Sequence, residues 1–312
     1  MTGTKRRVLI AGGRGMVGRN LREHPGMAAF DVYAPPRSEL DLCDWSATLA
    51  YMDRVQPDIV VHAAGHVGGI KANMSAPVQF LTANTDMARN VIMAARQVEV
   101  PELLNLGSSC IYPRMAPNPI QESQILMGEL EPTNEAYAIA KIFALRLCAY
   151  IRRETPQFAY KTLVPCNQFG RYDNFDPEHS HLLPGIILKI HQAKQSGAES
   201  VEIWGDGTSR REFMYAGDLA DALVTAISNF AAVPDLMNIG LGVDYSITEY
   251  YQTVADVLGW TGSFRYDLGR PTGMKQKLVD IQQQQAWGWS PKTSLRDGIA
   301  RAYDYYLGEI AK

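Results

Sequence analysis

The sequence of 312 residues predicts an α/β protein: a Rossmann-type doubly wound parallel sheet with a smaller, interleaved C-terminal α/β substrate domain. Three observations predict it. Short apolar runs alternate with helical-period segments as far as Lys161, a glycine-rich turn joins the first run to the first helix, and long polar loops set in after that point.

The elements follow in order. Arg7 to Ala11 (RVLIA) reads as a buried strand and Met16 to about His24 as the helix after it. Phe30 to Ala34 (FDVYA) is a second short strand, and Asp58 to Ala64 (DIVVHAA) and Glu102 to Ser109 (ELLNLGSS) are two more, ending in small or polar residues. Residues 78–98 place Phe80, Leu81, Val91, Ile92 and Ala95 at helical spacing. NEAYAIAKIFALRL is a further helix, and TLVPCNQFG is a strand running into a loop. The stretch RYDNFDPEHSHLLPG has no period, and loops of that length usually carry function. A helix from about Leu183 to Gln195, the strand VEIWGDG, an amphipathic helix near Gly217 to Asn229 and the strand LMNIG come next. Two amphipathic helices, SITEYYQTVADVLG and SLRDGIARAYDYYLG, flank FRYDLG and KQKLVDI. The run Gln282 to Gln285 reads as a solvated helical turn. The expected division is a nucleotide domain over residues 1–165 with a returning segment at about 213–241, and a mainly substrate-binding part over 166–312.

Composition excludes several functions. Thirty Lys and Arg against 33 Asp and Glu leave a net charge of −3, too balanced for a protein that holds nucleic acid through its overall field. Cys43, Cys110, Cys148 and Cys166 have neither CxxC nor metal-ligand spacing and read as free thiols of a reducing compartment. No run approaches the ~18 apolar residues of a membrane span, and the apolar stretch after Arg7 breaks on glycine too early for a leader. A cytoplasmic location, with no nucleic-acid, membrane or metal partner, is expected.

Gly12, Gly15 and Gly18 form G-x-x-G-x-x-G between strand and helix. There a tight turn and the helix N-terminus accept a pyrophosphate. The cofactor loop is therefore Gly12, Gly13, Arg14, Gly15, Met16, Val17 and Gly18. The second strand ends in YAPPRSEL, without the acid that would hold a ribose 2′-hydroxyl. Arg37 follows, and Arg14 lies in the loop. Two guanidiniums there favour a 2′-phosphate, so NADP(H) is the expected cofactor. Asp41 and Leu42 are placed at the adenine edge.

Tyr137 and Lys141 stand one helical turn apart on one face. A lysine there is expected to lower the phenol pKa and to hold the nicotinamide ribose. Ser108 ends the preceding strand, where open α/β sheets bind ligand. The serine would hydrogen-bond a substrate carbonyl while the tyrosine donates a proton to it.

The ordered set GGRGMVG, HVGGIKAN, GSSCIYP, EPTNEAYAIAK, DNFD…SHLLP and WGDGTSRREF closely resembles the GDP-L-fucose synthase family. These are GDP-4-keto-6-deoxymannose 3,5-epimerase/4-reductases of the extended short-chain dehydrogenase/reductase superfamily. The resemblance runs from about residue 7 to the final helix. It implies that Ser108, Tyr137 and Lys141 are the reductive triad, that Cys110 is the base next to the 4-ketone, and that His181 is the acid returning the proton. It also implies that Pro165, Cys166, Asn167 and Gln168, with His181, lie along the nicotinamide half of NADP(H). Lys189, Trp204 and Arg211 would hold the GDP-sugar, and Asn174 would order the substrate loop. A homodimer through helices of the nucleotide domain, including the one bearing Tyr137, is a further implication.

The chain departs from the family pattern on the substrate side. His66 stands where a lysine is usual, Thr272 where an aspartate is, and Gln276 where an arginine is. These changes leave other GDP-4-keto-sugars, such as a heptose or a dideoxy sugar, open as substrates, with or without epimerisation. A noncatalytic NADP-sensing protein is the reading from another class; it has no need for Ser108, Tyr137 and Lys141 together.

Overall fold

The computed structural model describes residues 4–177, 180–269 and 274–310. Its first half runs β1 (Arg7–Ala11), α1 (Met16–Glu23), β2 (Asp31–Tyr33), α2 (Trp45–Val55), β3 (Ile59–His62), α3 (Ile70–Ser75), α4 (Pro77–Gln97), β4 (Glu102–Leu106), α5 (Glu135–Glu154) and β5 (Ala159–Pro165). The second half continues with β6 (Asn167–Phe169), α6 (Leu182–Ser196), β7 (Ser200–Trp204), β8 (Arg210–Arg211), β9 (Phe213–Tyr215), α7 (Ala216–Ser228), β10 (Leu236–Ile239), β11 (Tyr245–Ser246), α8 (Ile247–Leu258), β12 (Ser263–Asp267), β13 (Gln276–Lys277), α9 (Gln282–Trp287) and α10 (Leu295–Tyr305).

Six strands form one parallel sheet in the order β10-β5-β4-β3-β1-β2. Their near-continuous apolar runs reflect burial on both faces. Alternate residues of β1 divide between the two layers: Val8 and Ile10 pack with Leu21, Leu219 and Leu223, whereas Leu9 pairs with Met52, Val91 and Ile92 on the other side. A separate core gathers Leu183, Ile186 and Ile190 of α6 with Ile203, Tyr250, Val254 and Ile299. The chain passes from β1 to β2 on one side and then crosses back to β3 on the other side of β1, so the crevice of the switch point opens at the C-terminal ends of β1 and β3.

Most expected elements form, with shorter strands at the margins. The second strand contracts to Asp31–Tyr33 at the sheet edge, and KQKLVDI contributes only the two residues of β13. The glutamine tract is a correction. It forms the helical turn α9, but Gln284 is buried, its Oε1 accepting from Gly240 N at 2.8 Å and its Nε2 donating to Gly240 O at 3.0 Å. Among the described residues, no helix is long and apolar enough to cross a membrane.

Candidate active site

The glycine loop is shaped from within. Gly12 has φ +90°, and a Cβ there would lie 2.6 Å from the Ala64 backbone, at the end of β3. A Cβ on Gly18 would come within 2.3 Å of the Gly12 carbonyl oxygen, and one on Gly13 within 2.6 Å of Ala34 Cβ. Gly15 differs: its nearest neighbour would be an ordinary contact at 3.6 Å, so the protein's own packing does not require glycine there. It is the N-cap of α1, and no side chain caps the helix. A surface of backbone N–H groups that excludes side chains fits a pyrophosphate. Met16 and Val17 open the helix behind it.

Around the loop, Arg14 and Arg37 are both exposed, Arg37 with 84% of its side chain accessible and 3.6 Å from Asp41. Asp41 also accepts from Cys43 N at 3.0 Å, and the Leu42 carbonyl is fixed by the buried Asn90 of α4 at 2.9 Å.

A second group converges at the end of β4. Ser108 caps a short 3-10 turn, Ser109–Ile111, its Oγ accepting from Cys110 N at 3.4 Å. The turn is anchored by Tyr112, whose hydroxyl donates to Asn238 Oδ1 of β10; Asn238 in turn donates to Ile120 O and Asp280 O. Lys141 is buried and donates to Leu106 O at 3.0 Å, with its Nζ 5.7 Å from the centre of the Tyr137 ring.

The expectation that Lys141 lowers the Tyr137 phenol pKa is not met: burial pushes that phenol up, and the charge of Cys110 adds to it. Burial also brings Lys141 down to about 8, opposed by Cys110. The Cys110 thiol is raised by burial, against the lowering pull of Lys277, the Ser108 hydrogen bond and Lys141. His62, beneath this group, is held neutral at about 3 by burial and by Lys141, and its Nδ1 has no partner. Ser108, Cys110, Tyr137 and Lys141 thus form one electrostatically connected cluster.

The remaining candidates are spread over several elements. His181 is the N-cap residue of α6, and burial lowers its imidazole. Asn174 makes a local turn: its Oδ1 accepts from Asp176 N at 2.9 Å and its N donates to Asp173 Oδ1 at 2.8 Å. Asp173 itself is buried, with Oδ2 unpartnered and its carboxyl raised to about 7 by burial. Lys189 donates to Glu202 O on β7, two residues before the exposed Trp204. Pro165, Cys166, Asn167 and Gln168 carry the chain from β5 into β6, and Gln168 Oε1 is buried without a partner. His66 lies against Phe80 with the rings tilted at 51° and their centres 4.5 Å apart, and Asn84 clasps its backbone N and O. Gln276 is committed to Asp244, at 2.7 Å, and Thr272 lies outside the described residues. No group of three or more His, Cys, Asp or Glu among the described residues is arranged to hold a metal.

Sequence reasoning missed Lys277. It is the largest lowering influence on Cys110, and in the parallel β8–β13 pair it stands in register with Arg211. KQKLVD offered the signal: alternation in a strand puts Lys277 on the face opposite Gln276. Glu212 and Asn84, both buried polar residues that hold backbone around the site, were missed as well.

Residues 8–240 match the NAD dependent epimerase/dehydratase family. The chain belongs to this family. It is 51% identical to the GDP-L-fucose synthase of Azorhizobium caulinodans, over 98% of this chain and 97% of the relative, and 46% identical to the GDP-L-colitose synthase of Yersinia pseudotuberculosis, over 97% and 98%. A crystal structure of a GDP-D-glycero-L-gluco-heptose synthase from Campylobacter jejuni in the presence of NADPH superimposes with a TM-score of 0.88 at 29% identity, covering 99% of both chains.

Proposed function

We propose that this family member is an NADPH-dependent epimerase/reductase. It converts a GDP-4-keto-6-deoxymannose-type sugar to a GDP-L-sugar, most simply GDP-L-fucose, by epimerisation at C3 and C5 and reduction at C4. The observation that carries this reading is the convergence of Ser108, Cys110, Tyr137 and Lys141 at the end of β4, beside the strand pair bearing Arg211 and Lys277. A sensor has no use for an acid, a thiol and an ammonium in one cluster. The division follows: residues 1–165 with the returning 213–241 hold the cofactor, and 166–312 mainly hold the sugar nucleotide.

The glycine loop fits the pyrophosphate of NADPH, with Arg14 and Arg37 toward the 2′-phosphate and Asp41 and Leu42 toward adenine. When bound, NADPH supplies a hydride to C4. The chain's own residues do the rest. Cys110, as thiolate, removes the proton from the carbon next to the ketone, and the negative charge moves to O4, where Ser108 and Tyr137 offer hydrogen bonds. His181 returns a proton to the opposite face. In the reduction Tyr137, whose raised pKa keeps it a phenol, gives its proton to O4. Lys189, Trp204, Arg211 and Lys277 serve the GDP moiety. The enzyme is proposed to act in the cytoplasm as a homodimer through α4 and α5, which expose Val78, Ile139 and Tyr150.

The substrate side favours a second reading of the sugar. Gln276 is spent on Asp244, and the relatives include a colitose synthase and a heptose synthase. The test is to incubate the purified protein with NADPH and several GDP-4-keto-sugars in deuterated water and identify products by NMR. GDP-L-fucose carrying deuterium at C3 and C5 is expected. Reduction without exchange would remove the epimerase assignment, and no turnover of any keto-sugar would remove the enzyme.

A further inference from the structure

Glu212 follows Arg211 and is almost wholly buried. Three backbone N–H groups from two distant segments converge on its carboxylate. Oε1 accepts from Leu241 N at 2.6 Å and Gly242 N at 2.9 Å, in the turn after β10, and Oε2 accepts from Val279 N at 3.0 Å, two residues past Lys277. The surroundings are built around these oxygens: a Cβ on Gly240 would sit 2.4 Å from Oε1, and Gly242 has φ +70°. Main-chain contacts fix the same stretch, since Tyr250 donates to Arg211 O at 2.7 Å and Asn167 donates to Glu212 O at 2.9 Å.

Arg211 and Lys277 are like charges in register on adjacent parallel strands, and each repels the other. β13 is only two residues long, and beyond it Ile120 and Asn118 hold the backbone of Leu278 and Asp280 from the other side, at 2.7–2.8 Å, which leaves Val279 N to tie the segment to the stretch that carries Arg211. The tie at Val279 runs through Glu212, the next residue after Arg211 on the partner stretch. We propose that Glu212 is a positioning residue that pins Lys277 beside Arg211 and so builds the dianion-binding half of the cleft for a nucleoside diphosphate. It rests on the reading that the substrate is a GDP-sugar. A carboxylate is the side chain required, because it alone offers two acceptor oxygens and no donor.

The test is the isosteric Glu212→Gln. One amide oxygen cannot serve both segments, and the amide NH₂ faces an N–H. Dissociation constants for GDP and for NADPH are measured by calorimetry on the wild type and the variant, with kcat and KM for the keto-sugar. Expected are a GDP Kd and a keto-sugar KM raised tenfold or more and a lower kcat, since Lys277 also bears on Cys110, with NADPH Kd within about threefold of wild type. If the Gln variant binds no NADPH, the same measurements are made on Glu212→Asp, which keeps both oxygens but retracts them; a several-fold weaker GDP with NADPH retained is then expected. Unchanged GDP affinity in the variant that binds NADPH overturns the proposal. So does equal loss of both ligands in both variants, which would mean that Glu212 supports the fold as a whole. Failure of the wild type to bind GDP would instead overturn the substrate reading.

Discussion

In the proposed mechanism Lys141 acts protonated and Cys110 deprotonated, and this would give the site its pH behaviour. Lys141 sits at about 8 in the free protein, so the ammonium that reduction uses is lost as pH rises through that value. Cys110 is raised by burial, so the thiolate that epimerisation uses grows as pH rises. The kcat/KM of NADPH oxidation should therefore fall above about pH 8, while deuterium exchange into the substrate climbs over the same range. Parallel profiles would show that one group limits both steps. Tyr137→Phe should lower reduction by roughly 10²–10⁴-fold, the usual weight of a general acid, with NADPH binding kept. Cys110→Ser should abolish exchange far more than cofactor binding; equal loss of both would make the cysteine structural. The tyrosine, lysine and serine were legible because helical spacing and a strand end put them together. Lys277 was not, since its place depends on a two-residue strand paired across the molecule.

At the scale of elements, the glycine loop separates two demands that the sequence motif merges. Gly12 and Gly18 answer to the protein's packing, whereas Gly15 has room for a methyl group on the protein side. Gly12→Ala should lower stability by about 1–3 kcal/mol through its backbone strain and clash, read as a fall in Tm. Gly15→Ala should keep the wild-type Tm within a few degrees yet weaken NADPH, because the added methyl would stand where the pyrophosphate approaches. Arg37→Ala should weaken NADPH more than NADH, and equal effects would detach it from the 2′-phosphate. Strand and helix positions of the sheet could be read closely because burial on both faces writes itself as continuous apolar runs. The short strands β8, β11 and β13 could not, because their pairing goes with ties between distant segments, such as Glu212 to Val279 and Arg210 to Asp244, rather than with a local pattern.

Over the whole molecule, two buried carboxyls, Asp173 and Glu212, are raised to about 7. Each binds more protons folded than unfolded between about pH 4 and 7, so their joint contribution makes the protein less stable as pH rises across that window and constant above it. Asp173→Asn should flatten the fall of Tm with pH and raise stability at pH 8 by an amount on the order of a few kcal/mol. A Tm that keeps the wild-type slope would mean that the carboxyl stays ionised in the folded state. The glutamine tract carries a last consequence. Homopolymer runs tend to vary in length because one repeat unit can stand in for another, but here the run is phase-locked. Gln284 must meet Gly240, and five residues on Trp289 must reach Asp221, to which its Nε1 donates at 2.8 Å. One inserted glutamine would turn the rest of the helix by about 100° and break one of the two anchors, so this tract should resist expansion where most repeats drift.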